Sequence, residues 1–130
     1  LVVENDLWQQ GMLSSIQAAV LMLRQRARVE AMMILPVDQP RVSMSTMRKV
    51  IQAWAATRAP VTVPTYQGHR GHPVVFDRST WRDLLAAPAD EGARSVVRQC
   101  GEAVDRVVVD DPWILMDADT PAEHETMQRG

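Results

Sequence analysis

Apolar residues fall on a helical spacing in three places along the chain. Ile16, Ala19, Val20 and Leu23 stand at i, i+3, i+4 and i+7; Met47, Val50, Ile51 and Trp54 repeat that rhythm, and Ala93, Val96, Val97 and Cys100 give a shorter third face. Each pattern predicts a helix with one stripe turned to a core, Trp54 and Cys100 included. Ser43 or Ser45 stands where the second helix needs an N-cap, and Ser79 or Thr80 where a short helix through Trp81, Leu84 and Leu85 needs one. Asp90 takes the same place ahead of the third face.

Between these helices the pattern changes. Ala31–Val37 is a continuous apolar run, which suits a strand covered on both faces. PVTVPTY (60–66) and PVVF (73–76) are rich in β-branched residues, and QGHRG between them reads as a turn. Leu1–Val3 and the segment through Val104 and Val107–Val109 add further strands. Thr120-Pro121-Ala122-Glu123 has the T-x-x-E spacing of a capping box and starts a last helix. Strands alternating with helices predict an α/β fold with a mostly parallel sheet and helices on its faces, in one domain over residues 1–130.

Composition narrows the function classes. The 130 residues are 46% hydrophobic and 23% charged with a net charge of −2, an ordinary globular balance. The longest basic cluster, Arg24-Gln25-Arg26-Ala27-Arg28, is too short for a nucleic-acid footprint and reads as the solvated C-terminal end of a helix. No apolar run reaches the roughly 18–20 residues that span a bilayer, and the N-terminus shows no secretory signal pattern, so the cytoplasm is the expected compartment. The single cysteine, Cys100, excludes an internal disulfide, and with three histidines it forms no zinc spacing.

Two acidic loci carry the candidate chemistry. In ILPVDQP (34–40), Asp38 follows an apolar run at a predicted strand end, where open α/β sheets bind ligands, and Pro40 turns the chain away. In MDADTPAE (116–123), Asp117 and Asp119 alternate ahead of a helix start. A hard cation such as Mg²⁺ takes one or two carboxylates and completes its shell with substrate phosphates. The alternative for both loci is local: Asp38 holding its own loop, and Asp119 or Thr120 acting as a cap.

GMLSSIQAAV, ILPVDQPRVS, VPTYQGHRGHPVVFD, LLAAPADEGARSVVRQ and DADTPAE occur in the order found in the MobA-like nucleotidyltransferases, and the chain most resembles their molybdenum cofactor cytidylyltransferase branch. The resemblance covers residues 1 to about 128. It implies a Rossmann-like three-layer fold and Mg²⁺-dependent transfer of CMP from CTP (GTP in the sister branch) to a phosphorylated pterin. It makes Asp38 a metal ligand and catalytic residue. Asp117 and Asp119 become metal or nucleotide contacts, with Asp119 also catalytic. The resemblance places Gly11, Ser14 and Ser15 near the nucleobase, and puts Gly68, Gly71 and His72 beside the pterin, with Arg94 a further candidate there.

One departure matters. Members of the family begin with a glycine-rich loop, L-A-A-G-x-S-x-R-M-G-x-x-K, whose amides, Arg and Lys hold the triphosphate, and nothing like it occurs in these 130 residues. The match is therefore to roughly the C-terminal two-thirds of a member, an N-terminally incomplete version of the fold. The expected consequences are a bare sheet edge along Ala31–Val37, pairing into a homo-oligomer through it, and little transferase activity from this chain alone. A binding or assembly module without catalysis is the alternative.

Overall fold

In a computed structural model, residues 12–36 and 41–115 are described. Leu1–Val3, Trp8, Gly11, Asp38, Asp117, Asp119, His124 and the Thr120–Glu123 capping box lie outside them. The chain order is α1 (Met12–Leu23), β1 (Ala31–Ile34), α2 (Met44–Thr57), β2 (Val61–Tyr66), β3 (His69–Arg70), β4 (Val74–Asp77), α3 (Trp81–Ala86), α4 (Arg94–Cys100) and β5 (Asp105–Val108). The five strands form one sheet flanked by helices, a mixed α/β architecture.

The sheet corrects the expectation of a mostly parallel arrangement. β1 runs antiparallel to β4, β4 to β2 and β2 to β3; only β2 and β5 are parallel. The reason lies in the short link between β2 and β3. The turn at Gln67–Gly68 has positive φ at both residues (50° and 84°), which closes a tight hairpin, and a hairpin imposes antiparallel pairing. The same edge of β2 then meets β4, but not in continuous register. From Thr65↔Arg70 a regular ladder would reach Thr62↔Pro73, whereas Thr62 faces Val75. The extra residues form a bulge at Gly71–Pro73, and the Gly71 N–H still donates to the Pro64 carbonyl at 3.0 Å.

Alternation along the strands divides the core. Val61 and Val63 of β2, Phe76 of β4 and Met32 of β1 face the layer made by α1, α3 and α4, packing on Val20, Leu84 and Val96 among others. α2 lies against β2, β4 and β5 on the opposite face, with Thr46 and Val50 buried. A second apolar cluster of Val42, Val109 and Ile114, joined by Leu35 and Leu115, closes one end of the fold.

Several local expectations change. Ser43 is the cap of α2, its hydroxyl accepting from the Thr46 N–H at 3.0 Å. At the next helix Thr80 takes the N-cap position of α3 but makes no side-chain cap bond; Asp77 accepts from the Ser79 N–H at 3.1 Å and starts a 3₁₀ turn that runs into α3. Asp90 is not the cap of α4 either, because the helix starts one turn later, after Ala93. Trp54 is half-buried rather than core; its indole N–H donates to Asp77 Oδ1 at 3.0 Å and Arg58 stacks on its ring. The basic run at 24–28 follows α1 instead of ending it. The Arg78 guanidinium donates to the carbonyls of Arg24, Arg26 and Val29, so the backbone leaving α1 is held from β4's side. β1 is shorter than the apolar run predicted, and its Met33 is exposed.

Candidate functional site

A cavity of about 810 Å³ opens on the face of the sheet that carries α1 and α4. Its floor is apolar: Ile34, Val63, Val74 and Phe76, from three neighbouring strands. Leu13 and Ile16 of α1 form one wall. Arg94, Val97 and Arg98, spaced along one face of α4, form the other. The bulge residues Gly71 and His72 line its rim.

The bulge therefore does structural work for the site. It lifts Gly71 and His72 off the regular ladder and against the segment after β5, where the His72 N–H donates to the Ile114 carbonyl at 3.0 Å. The approach is too close for any other residue at position 71. A Cβ there would stand 2.7 Å from the Ile114 carbonyl carbon and 2.9 Å from its Cγ1, and closer still to its carbonyl oxygen.

Asp111 organises the same end of the molecule and carried no periodic signal in the sequence. It is buried at 7% exposure. Oδ2 accepts from the Ser43 N–H at 3.1 Å and the Thr46 hydroxyl at 2.8 Å, and Oδ1 accepts from the Trp113 N–H at 3.0 Å. Burial alone would raise its carboxyl above the ordinary range; the donors from Ser43, Thr46 and Trp113 outweigh that and hold it below. The start of α2 is thereby tied to the 3₁₀ turn Pro112–Ile114. Arg41 stacks over the Trp113 ring with its guanidinium carbon 4.6 Å from the centroid, and Leu35 and Leu115 pack into the same cluster. The only sequence cue to Asp111 is its place before Pro112, a common helix-start pairing.

Three of the expected substrate residues, Gly71, His72 and Arg94, meet at this one cavity. Ser14 and Ser15 lie in the first turn of α1, half-buried, beside the lining residues Leu13 and Ile16 but not lining the cavity themselves. Gly68 is in the hairpin turn, away from the rim, and its positive φ accounts for it. Asp38, Asp117, Asp119 and Gly11 are outside the described residues. Among the described residues, no three His, Cys, Asp or Glu side chains converge as a metal site, and no helix is long and apolar enough to cross a membrane.

Helices on both faces of a mixed five-stranded sheet, with a cavity over one face, define a three-layer α/β protein. The sequence model of the MobA-like NTP transferase domain matches residues 1–107, and the chain belongs to that family. Among solved structures it is similar to Rv0371c of Mycobacterium tuberculosis H37Rv, with a TM-score of 0.70 and 24% identity over 91% of this chain and 60% of that one. The Rv0371c homologue of Mycobacterium sp. strain JC1 gives 0.68 and 24% over 89% and 56%. A complex of Rv0371c with manganese gives 0.68 and 25% over 89% and 60%. The chain thus spans about 60% of the length of these proteins. No curated protein matches it.

Proposed function

We propose that this chain carries the metal and acceptor side of a nucleotidyltransferase that moves CMP from CTP to a phosphorylated pterin. Asp38, Asp117 and Asp119 hold the divalent cation, and the cavity seats the acceptor. The observation that carries the reading is the packing of Leu35, Val42, Ile114 and Leu115 in one cluster, with Asp111 bonded to Ser43. Leu35 and Val42 flank the Asp38 segment, and Leu115 directly precedes the Asp117 segment. A chain advances at most about 3.3–3.6 Å per residue, and Asp38, Asp117 and Asp119 stand two to four positions from these contacts in sequence, a separation that permits a shared ion. His72, bonded to Ile114, sets the cavity rim against that same end.

A divalent cation held by these carboxylates would supply charge neutralisation on a bound triphosphate. Asp38 and the Asp117–Asp119 pair offer hard oxygen ligands, which suit Mg²⁺ or the manganese found with Rv0371c. The chain's own residues do the rest: Asp111 fixes the two flanks, the apolar floor excludes water from beneath the acceptor, and the bulge orients the rim. Pyrophosphate release from CTP with molybdopterin and Mg²⁺, measured for the chain together with a segment carrying the family's glycine-rich loop, tests this. Turnover that Asp38→Ala abolishes supports it; turnover indifferent to Asp38→Ala contradicts it.

A further inference from the structure

Four guanidinium groups line the cavity: Arg70, Arg94, Arg98 and Arg106. Arg98 lies in the LLAAPADEGARSVVRQ segment without a role of its own there, Arg106 belongs to no quoted motif, and the fold brings both to the cavity. Arg98 stands one helical turn beyond Arg94 on the same face of α4. Arg106 pairs in register with Val63, a floor residue, so it stands on the cavity face of β5. The lining also holds three carboxylates, Asp90, Glu91 and Glu102. Asp90 is four residues before Arg94 and Glu102 four after Arg98, yet neither pair closes: the one ion pair among the described residues is Glu30–Arg58, elsewhere on the surface. The forks of Arg98 and Arg106 therefore have no carboxylate, carbonyl or ring partner among the described residues. Guanidinium groups left open around an apolar floor fit a ligand with a planar or aliphatic body and an anionic headgroup. The floor of Ile34, Val63, Val74 and Phe76 cannot solvate charge, so the body lies on it and the anion stays at the cationic rim.

We infer that Arg98 and Arg106 are the charge-selecting residues of this cavity, binding the phosphomonoester group of a flat-bodied ligand. The inference rests on reading the cavity as the acceptor's seat. Its test requires neither metal nor nucleoside triphosphate, so it stands or falls apart from the transfer reaction. The probes are flavin mononucleotide, a planar fused ring with a phosphate monoester, and riboflavin, the same ring system without it. Binding is followed by flavin fluorescence at two salt concentrations. The expected result is that the phosphorylated probe binds about tenfold or more tightly than riboflavin, with the difference shrinking at high salt. Arg98→Gln and Arg106→Gln each remove about tenfold of the affinity for the phosphorylated probe and leave riboflavin unchanged, with far-UV circular dichroism unaltered. Lysine at either position restores part of the loss. Arg48→Gln, on the exposed side of α2, changes nothing. Equal affinity for the two probes, no binding of the phosphorylated one, or full affinity in both glutamine variants would overturn the inference.

Discussion

Replacing Gly71 with alanine adds one methyl group at the most constrained point of the cavity rim. The new Cβ meets the carbonyl carbon of Ile114 at 2.7 Å and its Cγ1 at 2.9 Å, with the carbonyl oxygen nearer than either. These are backbone atoms and the near part of a fully buried side chain, so no flexible end can swing aside. Relief requires the bulge to move, which strains either the Gly71–Pro64 or the His72–Ile114 hydrogen bond, both 3.0 Å long. Overpacking of this kind costs about 1–3 kcal/mol, and a lost backbone hydrogen bond about 1 kcal/mol more. A total of about 2–4 kcal/mol should lower the melting temperature by roughly 8–16 °C in a chain of this size. Gly68→Ala is the control: its φ of +84° makes alanine strained, but nothing lies within 4 Å of the new methyl, so about 1–2 kcal/mol is expected. Thermal and urea unfolding followed by circular dichroism measure both. If Gly71→Ala unfolds no earlier than Gly68→Ala, the close approach to Ile114 does not constrain the fold and the reasoning fails.

Three further outcomes follow from the same structure. Asp111→Asn should destabilise by about 1–3 kcal/mol through its unmatched donors; because the folded carboxyl titrates below its ordinary value, the lost stability is fully present in wild type above about pH 4 and disappears as pH falls through the folded pKa, so wild-type and variant urea midpoints should converge only in acid. Thr62 is fully buried and its hydroxyl has no hydrogen-bond partner among the described residues; Thr62→Val should leave stability unchanged or raise it by about 1 kcal/mol, and a loss above that in urea titration would reveal a bond the hydroxyl makes. β1 pairs only with β4 among the described residues and exposes Met33; light scattering should find self-association that Met33→Lys weakens, and a wild-type monomer at micromolar concentration would refute it.

Much of the fold was legible because its signals are local. The helical spacings at Ile16–Leu23 and Met47–Trp54 and the Ser43 cap reappear as α1 and α2. The sheet direction was legible too, but in a different place from the one that set the expectation. Strand–helix alternation suggested parallel pairing, whereas the short gap at Gln67–Gly68 dictates a hairpin. A continuous apolar run such as Ala31–Val37 does not distinguish an interior strand from an edge strand, since both are apolar and only the partners differ. Gly71, His72 and Arg94 were named through family resemblance; their meeting at one cavity depends on a register shift that no residue pattern encodes. Asp111 was missed because its partners Ser43 and Thr46 lie 68 and 65 residues away in sequence. No residue pattern singles out Arg98 or Arg106, and only the register of β5 against Val63 brings the latter to the site.

The proposed function rests on Asp38 and the Asp117–Asp119 pair sharing one divalent cation. Electron paramagnetic resonance titration of Mn²⁺ tests it most directly, with the wild-type chain compared with Asp38→Asn and Asp119→Asn. The account predicts one bound Mn²⁺ per chain, weakened about tenfold or more by either substitution alone, and tightened by added CTP, whose phosphates complete the shell. Mn²⁺ binding that survives both substitutions unchanged, or that Asp119→Asn weakens while Asp38→Asn does not, would contradict a shared site.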